Sequence, residues 1–525
     1  MRRDTWCSIA GQTPTRRIFL AYPLKARPLL SVAPMTMDTA RPADDRRRWQ
    51  ALWVCLTAGF MTLLDSSIVN VALPSMERGL GADTAALSWV VSGYALTFGL
   101  ALVPAGRLGD LRGRRTVFLY GLALFTLASA ACGLATDAGW LVFFRLSQGV
   151  ASGILAPQTT GLIQQMFRGT ERARAFGMLG SVVGLSTAIG PPAGGLLIHL
   201  FGTDDGWRWV FYVNLPIGVA AFCAALRLLP RTPPATGRRE GIDLTGVLLL
   251  GTGVLALMLP LVQEQQWTGR LKWALLPVAA LLLAGFWAWE RWQGWWGQAP
   301  LLDLRLFAQR SFSLGVLLNL VYFAGFTTLF FVYTLFLQNG VGYTALAAGF
   351  SSLPFACGSA IGAGVSGRLV VRHGRKLVVA GLAVVALGLL AVIATVQLVP
   401  GQGVAWAAAL PLLIAGLGSG VTISPNTTLT LATVPVQRAG AAGGVLVTAQ
   451  RIGSAAGIAA VGAVYFAHLA NHGSPARALQ LGLLTAVGII VLALVLAVAD
   501  LRERQTEPLG AARGAARPEE HDQAV

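Results

Sequence analysis

The sequence predicts an all-α membrane protein of about 14 transmembrane helices, arranged as two six-helix, pseudo-symmetric halves plus two extra central helices. Hydrophobic residues make up 55% of the 525 residues and charged residues only 12%, whereas a soluble domain carries about twice that charge. About fourteen apolar runs reach the roughly 20 residues that a membrane-spanning helix needs. One basic segment occurs twice, at 106–115 and 367–376, each time between two apolar runs. Such a repeat is typical of a chain with two structurally equivalent halves.

The apolar runs follow one another through most of the chain, joined by short polar connections. They begin near Ala51, Ala86, Thr116, Trp140, Ala175, Trp209, Asp243, Lys272, Ser313, Ala345, Leu377, Val404, Ala441 and Leu479. Each copy of the basic segment lies within one set of six runs, so the chain is expected to have a first half, 49–229, and a second half, 312–500. Between the halves, 230–311 holds a linker and the two extra helices. Residues 1–48 form an Arg-rich leader and 501–525 a polar tail, and both are expected to be disordered.

The positive charges lie in alternate connections, which indicates a membrane topology. The net charge is +17, but the basic residues do not share the single soluble face that nucleic-acid binding requires. They follow the even-numbered spans, most densely at 107–115 and 368–376. By the positive-inside rule, both termini are expected in the cytoplasm. Met35 and Met37 precede a short polar lead typical of a translation start, so the leader is a candidate over-extension.

Two charged residues inside apolar runs are candidates for proton coupling. Asp65 lies in the first run, where an ionised carboxylate is unfavourable and proton uptake is favoured. Arg145 lies in the fourth run at a depth that allows the two side chains to meet, and Gln148 follows one turn later on the same face. The sequence therefore predicts a coupling pair, Asp65 and Arg145. The alternatives are a purely structural acid and a static arginine clamp.

The first basic segment is a candidate gating loop. Asp110 can pair with a basic group across the turn or with the positive N-terminus of a neighbouring helix, and either contact would hold the cytoplasmic side shut. Gly106, Arg114 and Arg115 complete the predicted loop. The alternative is that these charges only determine topology. The second copy has Val371 in place of Asp110, so a matching latch is not expected there.

A Gly/Pro cluster lies near the outer end of the fifth span. It consists of Gly190, Pro191, Pro192, Gly194 and Gly195. The prolines remove backbone donors and the glycines permit close helix approach, so a kink with tight packing is expected. The functional interpretation is an outer seal, and a plain structural kink is the alternative.

Polar residues within the apolar runs are candidates for lining a substrate cavity: Asn70, Gln148, Gln450 and Arg451. The tenth and thirteenth runs contain no acid, and the predicted membrane interior holds one acid and two arginines. We therefore expect a neutral or anionic cargo, or a lipophilic one whose charge matters little, and not a dication. The alternative for Arg451 is pairing with backbone carbonyls.

Five motifs resemble those of the major facilitator superfamily and, within it, the fourteen-helix drug:proton antiporter group. In chain order they are Leu64–Pro74, Gly106–Arg115, Arg145–Gly149, Gly190–Gly195 and Trp207–Pro216. The resemblance covers essentially Ala51 to Asp500. It implies proton-coupled export of lipophilic drugs or antibiotics by alternating access across the bacterial cytoplasmic membrane. The sequence departs from cation-exporting relatives, which often carry extra carboxylates in the tenth and thirteenth helices.

Nothing in the sequence indicates an enzyme, a cofactor or a bound metal. It contains no nucleotide-binding Gly-Lys loop and no nucleophile elbow, and its five histidines lack metal-ligand spacing. The expected partners are a small lipophilic substrate, protons and the lipid bilayer, with no nucleic acid and no second copy of the chain. Two alternatives remain open: dedicated export of a single metabolite or lipid precursor, and a non-transporting membrane sensor.

Overall fold

The computed structural model describes residues 42–202, 204–231, 243–264, 267, 269–296, 300–471 and 473–506. The chain divides into a short unit, Met1–Asp45, and a large compact unit, Arg46–Val525. The candidate starts Met35 and Met37, most of the Pro230–Glu240 linker and nearly all of the tail after 501 lie outside the described residues.

The described residues form helices and no β-strand. The α-helices are α1 (Pro42–Leu80), α2 (Thr84–Arg112), α3 (Arg114–Gly133), α4 (Ala138–Met166), α5 (Gly169–Phe201), α6 (Gly206–Tyr212), α7 (Asn214–Leu228), α8 (Leu244–Val262), α9 (Leu275–Trp295), α10 (Arg305–Ala308), α11 (Arg310–Leu335), α12 (Ala345–Ser351), α13 (Leu353–His373), α14 (Arg375–Leu398), α15 (Val404–Ala407), α16 (Ala409–Thr430), α17 (Ala439–Ala470) and α18 (Pro475–Thr506). Fourteen helical stretches in the described part of the chain are long and apolar enough to cross a membrane. The predicted fold class is confirmed.

A single glycine joins the two helices at each basic segment. Gly113 lies between α2 and α3 with φ 95°, and Gly374 lies between α13 and α14 with φ 52°. Glycine adopts these conformations without the strain that a side chain would add. The two turns thereby place the arginine clusters at one end of the bundle, which we call the basic end.

The two halves meet along two helix pairs. One apolar core lies mainly in the first half, around Phe118 and Phe125, and another lies in the second half, around Leu382 and Leu389. Between the halves, α2 packs on α17 and α5 packs on α13. The arrangement is pseudo-symmetric, because α13 corresponds to α2 and α17 corresponds to α5 in the repeat.

The extra helices α8 and α9 pack on each other, and α8 also contacts both halves. Met258 of α8 clusters with Leu96 of α2 and Ala455 of α17. At the end of α8, the side-chain amide of Gln263 donates to Ser92 Oγ over 3.1 Å. The extra helices therefore border the α2–α17 pair.

Candidate functional site

Asp65 lies in the interior of α1, where it is fully buried and accepts three hydrogen bonds. Its Oδ2 accepts from Arg145 Nη1 over 2.6 Å. Its Oδ1 accepts from the amides of Gln148 and Asn214, each over 3.0 Å. A cation and two amides therefore surround the carboxylate, and each donates a hydrogen bond to it.

The guanidinium of Arg145 is equally enclosed, with 1% of the residue exposed. Besides the bond to Asp65, it donates to Gln148 Oε1 over 2.7 Å and to the Val90 carbonyl over 3.0 Å. Its Cζ lies 4.2 Å from the centre of the Tyr94 ring. These contacts, a carboxylate, two neutral acceptors and an aromatic face, compensate for removing the charge from water.

Gly149 explains how α4 comes close enough to α2 for these contacts. A Cβ at this position would lie 2.5 Å from the Tyr94 carbonyl oxygen and 2.2 Å from Thr97 Oγ1. Thr97 in turn donates to the Leu146 carbonyl of α4 over 2.9 Å. The Arg145–Gly149 motif thus combines the ionic group with the small residue that positions it.

A pair of aromatic rings connects this ion pair to a second arginine. Tyr94 and Phe98, one turn apart on α2, lie with their ring centres 6.2 Å apart and 27° between their planes. Phe98 is the ring farther from Arg145, and the Cζ of Arg451 lies 4.2 Å from its centre. Asp65 is therefore linked to Arg451 of α17 through Arg145 and two rings, and this series of contacts crosses from the first half to the second.

A central cavity lies between the halves beside this series. The space between its lining atoms is about 920 Å³ when open solvent is counted. The cavity is lined by α1, α2, α4 and α5 of the first half and α11, α16 and α17 of the second. Gln450 and Arg451, two of the candidates named from the sequence, line it. Arg451 is the ionisable residue among its described lining residues. The remaining wall is largely apolar, with Phe98, Phe176 and Phe323 contributing rings.

Two predicted cavity residues lie elsewhere, and this corrects the sequence interpretation. Gln148 is buried against Asp65 and Arg145. Asn70 is exposed, its amide within 3.4 Å of the Ser66 carbonyl of its own helix. At about 100° per residue, Asn70 lies on the same face of α1 as Leu63, which lines the cavity, but about two turns farther toward the C-terminal end of the helix.

The first basic segment contacts the second half directly. Asp110 Oδ1 accepts from the Gly440 amide over 3.1 Å, and Oδ2 accepts from the Ala441 amide over 3.0 Å, at the N-terminus of α17. Arg114 holds the same carboxylate over 2.8 Å and donates to the Gly161 carbonyl over 2.8 Å and to the Val436 carbonyl. We call Asp110, Arg114, Gly440 and Ala441 the latch. The carboxylate thus uses both contacts considered from the sequence.

The other two predicted loop residues have different surroundings. A Cβ at Gly106 would lie 2.4 Å from the Gly440 carbonyl oxygen, so this position brings the backbones of α2 and α17 together. Arg115 instead donates to the Leu226 carbonyl of α7, within its own half.

In the second basic segment, the arginine that corresponds to Arg114 has partners within its own half. Arg375, which corresponds to Arg114, donates to Asn426 Oδ1 over 2.8 Å and to the Ser311 carbonyl over 2.9 Å. Its Nε lies 3.4 Å from Oδ2 of Asp500, a fully buried acid of α18. The arginine whose local acid is replaced by Val371 is therefore paired with an acid from a distant helix of the same half.

The Gly/Pro cluster of α5 packs closely on two helices. The helix runs without interruption through Pro191 and Pro192. A Cβ at Gly190 would lie 1.9 Å from Ser67 Oγ of α1, and one at Gly194 would lie 3.0 Å from Ile68. A Cβ at Gly195 would lie 3.0 Å from the Leu346 side chain of α12. The cluster therefore permits close contact with α1 and with the second half.

Comparison with known proteins identifies the family. Residues 55–458 match the family model described as Major Facilitator Superfamily. The chain belongs to the major facilitator superfamily. It is 37% identical over 440 residues to the probable actinorhodin transporter of Streptomyces coelicolor, with 82% of this chain and 75% of that protein covered. It is 35% identical over 513 residues to the puromycin resistance protein pur8 of Streptomyces alboniger, with 93% and 98% covered.

A third relative in the superfamily is the multidrug resistance protein Stp of Mycobacterium tuberculosis, 36% identical over 418 residues, with 78% of this chain and 74% of Stp covered. Among solved structures, the human organic anion transporter MFSD10 superposes with a TM-score of 0.61 at 17% identity, covering 87% of this chain and 100% of that one. The latter likeness establishes the fold alone. Fourteen candidate spans and bacterial relatives make the chain a multi-pass protein of the bacterial cytoplasmic membrane.

Three residues of this major facilitator protein were not singled out from the sequence: Asn214, Tyr94 and Asp500. Asn214 lies within the Trp207–Pro216 motif, so its signal was present. Tyr94 and Asp500 lie in runs without a recognisable motif, and only packing reveals their partners. The described residues contain no group of three or more His, Cys, Asp or Glu side chains that could hold a metal ion.

Proposed function

We propose that this protein exports lipophilic drugs or antibiotics from the bacterial cytoplasm in exchange for protons, by alternating access. The names of its relatives support the cargo class: actinorhodin transport, puromycin resistance and multidrug resistance. In this proposal the basic end and both termini face the cytoplasm, the chain works as a monomer, and it catalyses no chemical reaction.

The observation that carries the proposal is the buried pair of Asp65 and Arg145 beside a cavity between the halves. An acid inside a membrane protein is unfavourable unless it is paired, and such acids are frequently proton sites. Protonation from outside would remove the charge that Arg145 compensates, and the guanidinium would then need another partner. Proton binding would therefore weaken the contact between Asp65 and Arg145 and change how α1, α2 and α4 pack together.

We propose that the two aromatic rings pass this change to the cavity. Arg145 lies on Tyr94, Tyr94 stacks on Phe98, and Phe98 lies under Arg451. The Tyr94 hydroxyl also donates to the carbonyl of Thr62, which lines the cavity. Release of Arg145 would therefore move groups that touch the cargo. Deprotonation toward the cytoplasm would accompany loading, while the latch opens and closes the basic end.

The second candidate function is dedicated export of one compound. It is favoured by relatives named for a single product, such as the tetracenomycin C resistance and export protein of Streptomyces glaucescens, 33% identical over 420 residues. Broad efflux and dedicated export use the same proton mechanism, and they differ in how many unrelated compounds compete for the cavity.

The test is proton-driven uptake of lipophilic dyes and antibiotics into inverted membrane vesicles. We expect wild-type uptake to stop when an uncoupler is added, and Asp65→Asn to lack gradient-driven uptake. The matched control is Asp205→Asn, which changes a solvent-exposed acid paired only at the surface with Arg208. Gradient-driven uptake by Asp65→Asn at the wild-type rate would refute the role given to Asp65. Transport of a single compound among many would favour dedicated export.

A further inference from the structure

The guanidinium of Arg451 is a cation without an anion in the described part of the chain. No described residue accepts a hydrogen bond from it, its Nε is buried without a partner, and no described carboxylate pairs with it. Its contact with the described residues is with Phe98, whose ring centre lies 4.2 Å from the guanidinium carbon. Arg451 is half-buried, and a charge partly removed from water without a counter-charge is unfavourable.

Arg145 shows what a satisfied arginine looks like in this same protein. It also lies 4.2 Å from an aromatic ring centre, but it adds a carboxylate, an amide oxygen and a backbone carbonyl. The two guanidiniums lie at opposite ends of one ring pair. Arg145 has hydrogen-bond acceptors, whereas Arg451 has none among the described residues. Arg451 faces the cavity, so its missing acceptor has room there.

Two other polar side chains on the cavity wall, Ser424 and Gln450, leave donors unused as well. Thr62, Thr159 and Thr427 donate their hydroxyls to carbonyls of their own helices, over 3.0, 3.3 and 2.9 Å. In contrast, the buried Ser424 hydroxyl has no partner, and the Gln450 side chain makes no hydrogen bond with a described residue. The cavity therefore offers donors beside Arg451, and the described lining residues include no carboxylate that would repel an anion.

We propose that the cavity selects lipophilic anions, binding a carboxylate, enolate or phenolate oxygen of the cargo at Arg451. This inference rests on the proposed export function and specifies its substrate class. A guanidinium presents its N–H donors in one plane, which suits a flat oxyanion. The rings of Phe98, Phe176 and Phe323 and the aliphatic wall would hold the apolar body of the molecule. The expected cargo is thus an acidic, largely apolar compound, and not a cation.

The experiment compares an acid with its neutral ester on the purified protein in detergent. The probes are 1-naphthoic acid and its methyl ester, and the protein variants are wild type, Arg451→Gln and Arg451→Lys. We expect Arg451→Gln to weaken binding of the acid at least tenfold and leave ester binding within twofold. Arg451→Lys keeps the charge but loses the planar donors, so we expect an intermediate effect. Equal losses for acid and ester, or unchanged acid binding in Arg451→Gln, would overturn the proposal.

A second measurement, the melting temperature, tests the proposal independently of how tightly the variants bind the probes. Without any probe, Arg451→Gln should melt at a higher temperature than wild type, because it removes a half-buried charge that has no counter-charge. A lower melting temperature would mean that Arg451 is already paired in the empty protein and would contradict the proposal.

The outcome for substrate class is separate from the outcome for export. Proton-driven uptake of neutral dyes into inverted vesicles is recorded for each variant. If wild type takes up acidic and neutral compounds equally well, the anion site is refuted and the proposed function still stands. An absence of gradient-driven uptake of every compound by wild type would refute the proposed function itself.

Discussion

The two halves share their helix order but differ in the chemistry that joins corresponding helices. In the first half, α1 and α4 are joined by the buried ion pair of Asp65 and Arg145, 2.6 Å apart. In the second half, the corresponding α11 and α16 are joined by two neutral hydroxyls, Tyr322 and Ser419, over 2.8 Å. The duplicated scaffold is thus used asymmetrically: the first half carries the titratable pair, and the second half contributes the cavity cation Arg451.

The two basic segments differ in the same way. The carboxylate of Asp110 reaches across to the N-terminus of α17, where two amides and the helix dipole favour a negative charge. The second segment has Arg375 paired with Asn426 and Asp500, all within its own half. The same position of the repeat therefore carries a carboxylate that binds the other half in the first segment and an apolar Val371 in the second.

The largest expected effect comes from separating the ion pair. Arg145→Leu leaves a buried carboxylate without its cation, and such changes cost about 3–5 kcal/mol of folding free energy. The matched change in the second half, Tyr322→Phe, removes one neutral hydrogen bond and is expected to cost about 0.5–1.5 kcal/mol. Thermal melting of both variants in detergent measures the difference. Adding Asp65→Asn to Arg145→Leu should recover part of the lost stability, and equal losses in the two halves would contradict the asymmetry.

The next effect is expected at the basic end. Asp110→Asn removes the charge from a carboxylate that accepts from two amides and Arg114, and hydrogen bonds to charged groups contribute about 1.5–3 kcal/mol each. The closed basic end should be weakened, so a Thr160→Cys reporter beside Gly443 should react faster with a polar thiol reagent added at that end.

Asp500→Asn is the matched control for this prediction, because it neutralises the buried acid that serves the second basic segment. We expect a lower melting temperature but an unchanged labelling rate at the Thr160→Cys reporter. Faster labelling in Asp500→Asn, to the same extent as in Asp110→Asn, would mean that both segments control the opening.

The smallest expected difference lies between glycines on the corresponding helices α5 and α17. A Cβ at Gly457 would lie 1.9 Å from the backbone oxygen of Ala324, while one at Gly190 would lie 1.9 Å from the Ser67 side chain. Backbone cannot yield, so Gly457→Ala should destabilise more than Gly190→Ala, by about 1–3 kcal/mol. Ser67→Gly should rescue only the second variant. Gly364→Ala, where no atom lies within 4 Å, is the control in the melting experiment.

How far the sequence predicts this molecule depends on whether a feature is local. The span number follows from run lengths, and the meeting of Asp65 with Arg145 follows from two motifs whose depths in the membrane are similar. Position along a helix is less well determined: Asn70 was expected in the cavity, but it lies about two turns beyond Leu63, a cavity residue on the same face of α1. Partners from distant helices are not encoded locally, which is why Asp500 was missed beside Arg375. The stack of Tyr94 and Phe98 also requires a structure, because aromatic residues in an apolar run are usually plain core residues.

The most direct test of the account is proton release on cargo binding, measured in weakly buffered detergent solution with a compound that wild type transports in vesicles. We expect wild-type protein to release protons as the compound binds, because cargo and the proton on Asp65 compete across the Tyr94–Phe98 pair. Asp65→Asn should bind the same compound without releasing protons. Equal proton release by wild type and Asp65→Asn would contradict the assignment of Asp65 as the coupling group.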